Sequence, residues 1–279
     1  MRTFSTPVSS VKFFTLTFIL SWLIWIPLTL SHFHIGFFQI PEGLSSMVRL
    51  IGVLMPATSA IILTAQTGGR RAVRSLFLRL TLWQVNWRWW LVAVLVQPIL
   101  LIVAGLSINW LSGEAEIHSE TLASIGALIV NVIFLLIATL GEEIGWRGVA
   151  LPTLQQRNSA AKASMILGLL WASWHLPFWL LLDTFDQYGF GYIGMNFLFV
   201  LPLTFYITWF FNHTQSSLLL AVMFHLTFNT VNTVLFPVTT HPGAFGVLIA
   251  LESIMALIIL RHLEPENASM VGTLNRSLQ

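Results

Sequence analysis

Seven residues in the middle of the chain have the types and spacing for hydrolytic chemistry. Glu142, Glu143 and Arg147 fall in one hydrophobic stretch, Trp171 and His175 in a second, and His225 and Asn229 in a third. Residues four apart share a helix face, so Glu143 aligns with Arg147, Trp171 with His175, and His225 with Asn229. Hydrolysis of a peptide bond needs a base to deprotonate water, donors to hold the oxyanion and an acid to protonate the leaving amine. A buried carboxylate beside an imidazole suits the first and last tasks, which assigns them to Glu142 and His175. Glu143 has the spacing of an intrahelical ion pair with Arg147, and spacing alone leaves an exchange of the two glutamates open. His225 and Asn229 would offer N–H donors to an oxyanion from one helix face. Two histidines and a carboxylate are also enough for a catalytic zinc ion with an open position for water, in which case Glu142, His175 and His225 would be the ligands. Against the metal, there is no H-E-x-x-H motif, and neither histidine has an acid nearby in sequence to orient its ring. The chain has no cysteine and no G-x-S-x-G elbow, so nothing supports a thiol or serine nucleophile.

These groups must be positioned by helices in lipid. Of 279 residues, 56% are hydrophobic and only 9% are charged, with a mean hydropathy of +0.81. That is far too little charge to cover a water-soluble globule, and the net charge of +2 does not suit a nucleic-acid binder. Spanning the hydrocarbon core takes about 20 apolar residues. Eight runs qualify, near 13–31, 45–66, 89–111, 121–141, 163–182, 192–211, 216–236 and 243–260. The expectation is an all-α, polytopic integral membrane protein with one membrane domain over 1–279. The connection 67–88 reads as a basic interfacial helix carrying Arg70, Arg71, Arg74, Arg79 and Arg88.

With an even number of spans and the amino terminus inside, twelve of the thirteen Lys and Arg residues fall on the cytoplasmic side. The exception is Arg49, at the start of the second span. The opposite loops carry only acids: Glu42, Glu114, Glu116, Glu120, Asp183 and Asp186. Both termini are therefore expected in the cytoplasm, with the active site opening toward it. Trp22, Trp25, Trp87, Trp89, Trp90, Trp110, Trp179 and Trp209 lie near span ends and suit interfacial belts.

Ionisable groups within spans are functional candidates because each is costly to insert. From the cytoplasmic helix ends, His175 would lie about 18 Å deep and His225 about 13 Å. For the acids to meet them, the fourth helix must continue past Glu143 toward Pro152. Gly141 and Gly145, with Gly148 beyond, allow close helix approach there, and Pro177 should open the helix beside His175. Glu252, Gln97, Asn131 and Asn196 are expected to serve packing. His32, His34, His118, His213, His241 and His262 read as loop or end histidines.

The order E-E-x-x-x-R (Glu142 to Arg147), aromatic-x-x-x-H (Trp171 to His175) and H-x-x-x-N (His225 to Asn229) resembles the CPBP family of intramembrane proteases, the CAAX prenyl endopeptidase and bacteriocin-processing family also called Abi. The family's second motif normally begins with Phe, where this chain has Trp171. The resemblance covers roughly 120–236. It implies an intramembrane endopeptidase, with Glu142, His175, His225 and Asn229 in the reaction and Glu143, Arg147 and Trp171 in support. Its substrate would be a membrane-associated peptide, either a prenylated CaaX tail or a bacteriocin or leader peptide, and bacteriocin self-immunity is an associated biological role. Two rival readings are a non-catalytic scaffold or immunity protein that keeps the polar groups for structure, and a small proton-coupled transporter. The transporter is disfavoured because no internal duplication is visible.

Overall fold

The computed structural model describes residues 8–36, 39–112, 125–235 and 237–263; the side chains of residues 42, 108–112 and 235 are not described. Arg2, Glu114, Glu116, His118, Glu120 and Arg276 lie outside these ranges, as do the side chains of Glu42 and Trp110.

The described residues are mostly helical, and no strand occurs among them. Its elements are α1 (Ser10–His32), α2 (Glu42–Val53), α3 (Met55–Leu78), α4 (Trp87–Ser112), α5 (Ile125–Gly145), α6 (Leu151–Gln155), α7 (Ala160–Trp174), α8 (Leu176–Trp179), α9 (Asp183–Tyr188), α10 (Phe190–His213), α11 (Leu218–Thr230) and α12 (Pro242–Ile259). Six helical stretches are long and apolar enough to cross a membrane. Among the described residues each of the eight sequence runs is mostly helical, but in the two that carry the histidines the helices are short. The fifth run, expected near 163–182, breaks at His175: Pro177 cannot continue the backbone ladder, so α7 stops at Trp174 and a separate turn, α8, follows. The carbonyl of Trp174, at the end of α7, accepts from the Trp22 indole at 3.1 Å. The seventh run is a 13-residue α11 that widens into a π turn at Val231–Leu235.

The fourth span does continue past its acids. A π turn, Trp146–Ala150, joins α5 to α6, and all five of its residues are buried. The region expected to be a separate interfacial helix is instead the end of α3, which runs on after a break at Gly69, where φ is 63°. Arg79 is a second departure from the expectation. It is 2% exposed and donates to the carbonyls of Arg147, Gly148 and Ser216 at 3.2, 2.9 and 3.1 Å, with its guanidinium over the Phe211 ring. Trp25, expected in an interfacial belt, is fully buried against Trp174.

Small residues set the spacing at the site. A Cβ on Gly145 would stand 2.7 Å from the backbone carbon of Pro56, and one on Gly141 would stand 2.9 Å from the carbonyl oxygen of Val53. The α5 helix therefore lies directly on the α2–α3 corner, as the G-x-x-x-G pattern implies. Replacing Gly145 with Ala should push these helices apart and cost about 1–3 kcal/mol. The expected readout is a lower midpoint of thermal unfolding in detergent, followed by tryptophan fluorescence. Gly191→Ala, where nothing lies within 4 Å, should leave the midpoint in place.

Candidate active site

The sequence places the two glutamates side by side on α5, and one residue of helical phase sends them to different surroundings. Glu143 turns into the protein. It is 0% exposed, and its Oε1 accepts from Arg147 Nη1 and from His225 Nδ1, each at 2.8 Å. Glu142 turns toward a cavity. Its Oε2 accepts from the indole N–H of Trp171 at 2.7 Å and, more loosely, from that of Trp146 at 3.4 Å. His175 Nε2 stands 3.9 Å from the same oxygen. That gap is too long for a direct hydrogen bond, yet one water can touch both atoms.

Both imidazoles are oriented through Nδ1. In His175 this nitrogen lies 2.9 Å from the Trp171 carbonyl, which can only accept, so Nδ1 carries the proton and Nε2 has a free lone pair. The ring is also stacked on Trp179 at 5.2 Å and meets Trp174 edge-on at 4.6 Å. In His225, Nδ1–H goes to Glu143, which leaves Nε2 as the second ring nitrogen. The expected ion pair of Glu143 with Arg147 is present, and its link to His225 is an addition that sequence spacing could not show. Asn229 sits one turn beyond His225, with Nδ2 3.4 Å from Thr139 Oγ1.

Trp171 links these groups. Its ring lies under the Arg147 guanidinium at 4.5 Å, meets the His225 ring edge-on at 5.6 Å and gives its N–H to Glu142. A Phe at this position could make the ring contacts but not the hydrogen bond.

The cavity has a volume of about 460 Å³, and Glu142, His175, His225 and Asn229 all line it together with apolar groups such as Val53, Phe178, Phe199 and Leu203. The seven residues expected from the sequence thus come together, five of them, Trp171 included, on the cavity wall and two, Glu143 and Arg147, behind it. Asn196 also lines the cavity, and its amide donates within its own helix to the Tyr192 carbonyl, so it does not bridge helices as expected. Asn131 likewise bonds within its own helix, to Ala127. Gln97 does bridge, donating to Glu252 at 2.6 Å across α4 and α12.

The cavity has a closed end and an open one. Below Glu142, toward the end of the bundle where α1 begins and α12 finishes, Trp146, Arg147 and Arg79 close the interior. Above it, the cavity runs past Arg49 and Ser46 on α2, Leu182 after α8, and Thr239 before α12, toward the opposite end. The start of α1 and the outer lining residues of the cavity therefore lie toward opposite ends of the described bundle. Loop charge reads orientation but carries no information about which half of a bundle is hollow.

The described residues contain no group of three His, Asp or Glu side chains gathered closely enough to hold a metal ion.

Comparison with known proteins converges on the same residues. Positions 124–231 match the family model described as type II CAAX prenyl endopeptidase Rce1-like, a segment that runs from the start of α5 to the end of α11 and contains all seven motif residues. Across a longer stretch, the chain is 29% identical over 234 residues to CAAX prenyl protease 2 of Methanococcus maripaludis, covering 80% of this chain and 85% of that protein. With the paired glutamates, both histidines and the asparagine in family order around one cavity, the chain is similar to the Rce1-like CAAX prenyl endopeptidases over the segment that carries its site, and this likeness supports a membrane protease.

Proposed function

We propose that the protein hydrolyses a peptide bond in a membrane-associated peptide, using a water held between Glu142 and His175. The observation that carries this reading is the 3.9 Å gap between Glu142 Oε2 and His175 Nε2 at the inner end of the cavity. Glu142 takes a proton from that water as its oxygen attacks the scissile carbonyl carbon, and His175 Nε2 orients the water through its lone pair. The oxyanion that forms is met by Asn229 Nδ2–H and by His225 Nε2–H when that ring is doubly protonated. The proton on Glu142 then passes to the leaving nitrogen as the C–N bond breaks. Glu143 and Arg147 do not touch the water; they hold His225 and the π turn in place.

The substrate in the relative's name, a CAAX prenyl protein, fits an apolar cavity of this kind. Because the basic loops mark the cytoplasmic face, the cavity mouth is proposed to open on the other face, which a leader-type peptide anchored there would reach directly.

Glu142→Gln should lower kcat by about 10²–10⁴-fold while the protein folds normally. Glu143→Gln should instead lower stability, by about 3–5 kcal/mol, because Arg147 is left buried without its counter-charge. Turnover of a quenched fluorescent peptide and thermal unfolding, run side by side, separate the two. If Glu142→Gln retains full turnover, the protein is not the hydrolase proposed here and the scaffold reading takes its place. Water activation by these side chains alone also predicts that turnover survives a strong divalent-metal chelator, and loss on chelation with recovery on added zinc would restore the metal reading.

Sidedness is open to a direct check, because the chain has no native cysteine. Ser46→Cys, at the mouth, should react with an impermeant maleimide added outside intact cells, whereas Arg157→Cys should react only after permeabilisation. The reverse pattern would place the mouth in the cytoplasm.

A further inference from the structure

We propose that the outward face of α3 beyond Gly69, together with the connection that follows it, binds anionic phospholipid. Its arginines take the headgroup phosphate, and its aromatic and aliphatic groups meet the top of the acyl chains.

The charge in this region has one sign. Arg70, Arg71, Arg74, Arg79 and Arg88 lie in the stretch between Glu42 and Glu114, which contains no Asp or Glu. Arg79 turns inward to the carbonyls already described. The other four are exposed, and among the described residues none of them is in an ion pair. Four guanidiniums without a carboxylate create a positive potential that draws anions from outside the chain.

One amphipathic run carries most of the surface. Gly69, at φ 63°, breaks the helical path, so the run after it leaves the axis of the membrane-spanning part of α3. With 3.6 residues per turn, Arg70, Arg71, Arg74, Phe77 and Leu78 share an arc of about 120°, and Leu76 and Arg79 fall on the opposite side. Burial follows that division. The first five are exposed, whereas Leu76 and Arg79 are 4% and 2% exposed. Leu76 lies against the π turn, its Cδ1 2.8 Å from where a Cβ on Gly148 would stand. Ser217 Oγ, at the start of α11, donates to the Leu82 carbonyl at 2.7 Å, and the Trp90 indole donates to the Trp83 carbonyl at 3.3 Å. The inner face is thus fixed to protein, and the outer face is presented on a rigid support.

The mixture of groups on the outer face selects its partner. Phe77 and Leu78 lie one turn on from Arg74, and the connection adds Trp83 and Trp87, 61% and 65% exposed, with Arg88 beside them. Cations followed by apolar and aromatic groups over about 12 Å of helix match the step from phosphate to hydrocarbon at a bilayer surface. An acidic soluble partner would meet the arginines but leave Phe77, Leu78 and the two tryptophans without apolar cover. Guanidinium also takes phosphate through paired N–H bonds. A headgroup with net negative charge is preferred over phosphatidylcholine, whose phosphate is offset by its own ammonium group.

The full-length protein in nanodiscs, which expose both faces, provides the test. The lipid is phosphatidylcholine, alone or mixed with phosphatidylglycerol. Because the chain has no native cysteine, Leu78→Cys can carry a single fluorophore one turn from Arg74, and brominated lipids quench it according to which headgroup gathers there. Brominated phosphatidylglycerol should quench about threefold more effectively than brominated phosphatidylcholine at equal mole fraction. Phosphatidylglycerol should also raise the midpoint of thermal unfolding, because a ligand selective for the folded state stabilises it. The triple variant Arg70→Gln, Arg71→Gln, Arg74→Gln should lose both effects, and the corresponding triple lysine variant should keep most of each. Arg261→Gln, an exposed cation elsewhere, should keep both in full.

Equal quenching by the two lipids in the wild type would overturn the proposal. A preference that persists in the triple glutamine variant would overturn it as well, since the attraction would then belong to the protein's overall charge. The two other sources of anionic groups are tested in phosphatidylcholine discs. A midpoint raised equally by soluble glycerol phosphate would assign the arginines to a free phosphate, and one raised by polyglutamate but not by phosphatidylglycerol would assign them to an acidic protein; either would overturn the lipid reading. Neither readout uses a substrate, so the outcome is independent of whether the protein hydrolyses peptides.

Discussion

Glu143 is the constraint around which the rest of the site is built. A carboxylate with no exposure inside a membrane bundle is tolerable only if donors from more than one direction meet it. Here Arg147 comes from one turn further along the same segment and His225 comes from α11, both at 2.8 Å. The first contact holds the π turn, because Arg147 must point back along the helix from a widened backbone. The second locks α5 to α11 in a single register and fixes the His225 ring. The carbonyls of Arg147 and Gly148 are in turn held by Arg79 from the end of α3. A polar chain thus runs from Arg79 through the π turn to Glu143 and on to His225, and it seals one end of the bundle.

That seal gives the adjacent carboxylate its chemistry. Glu142 faces away from the chain just described, toward open volume, and its neighbours are indole N–H groups that carry no charge. Adjacent residues on one helix therefore have opposite tasks, one neutralised and immobile, the other beside space for water and substrate. Paired titratable groups in contrasting surroundings are a common way to divide acid–base work between like residues. In this protein the contrast is produced by about 100° of helical rotation between neighbours, together with a π turn that closes the space under one of them.

Much of this was legible in the sequence and part was not, for identifiable reasons. Hydrophobic runs located the long helices but not the short α6 and α9, since lipid exposure leaves an unmistakable composition only over a span, and four-residue spacing paired Glu143 with Arg147. The break at His175 followed from Pro177. Arg79 was misread because its neighbours Arg70, Arg71 and Arg74 suggested a solvated basic helix, and a burial that depends on carbonyls of distant elements leaves no local trace. The contact of Glu143 with His225 spans 82 residues, beyond any periodicity argument. The π turns also escaped notice, since one inserted residue per turn alters hydrogen bonding without altering composition.

Burial alone does not identify a catalytic acid, as a third buried carboxylate among the described residues shows. Glu252 is as enclosed as Glu143, at 0% exposure, and accepts from Gln97 at 2.6 Å to tie α12 to α4. Glu142 retains 6%. That small remainder decides the matter, because hydrolysis requires a carboxylate oxygen that a water and a carbonyl carbon can both reach. Glu143 and Glu252 have protein in every direction that a substrate would need to occupy, and each is already committed to joining helices. Glu142 alone among the three borders the cavity, and it does so within one water's reach of an imidazole whose free nitrogen points the same way.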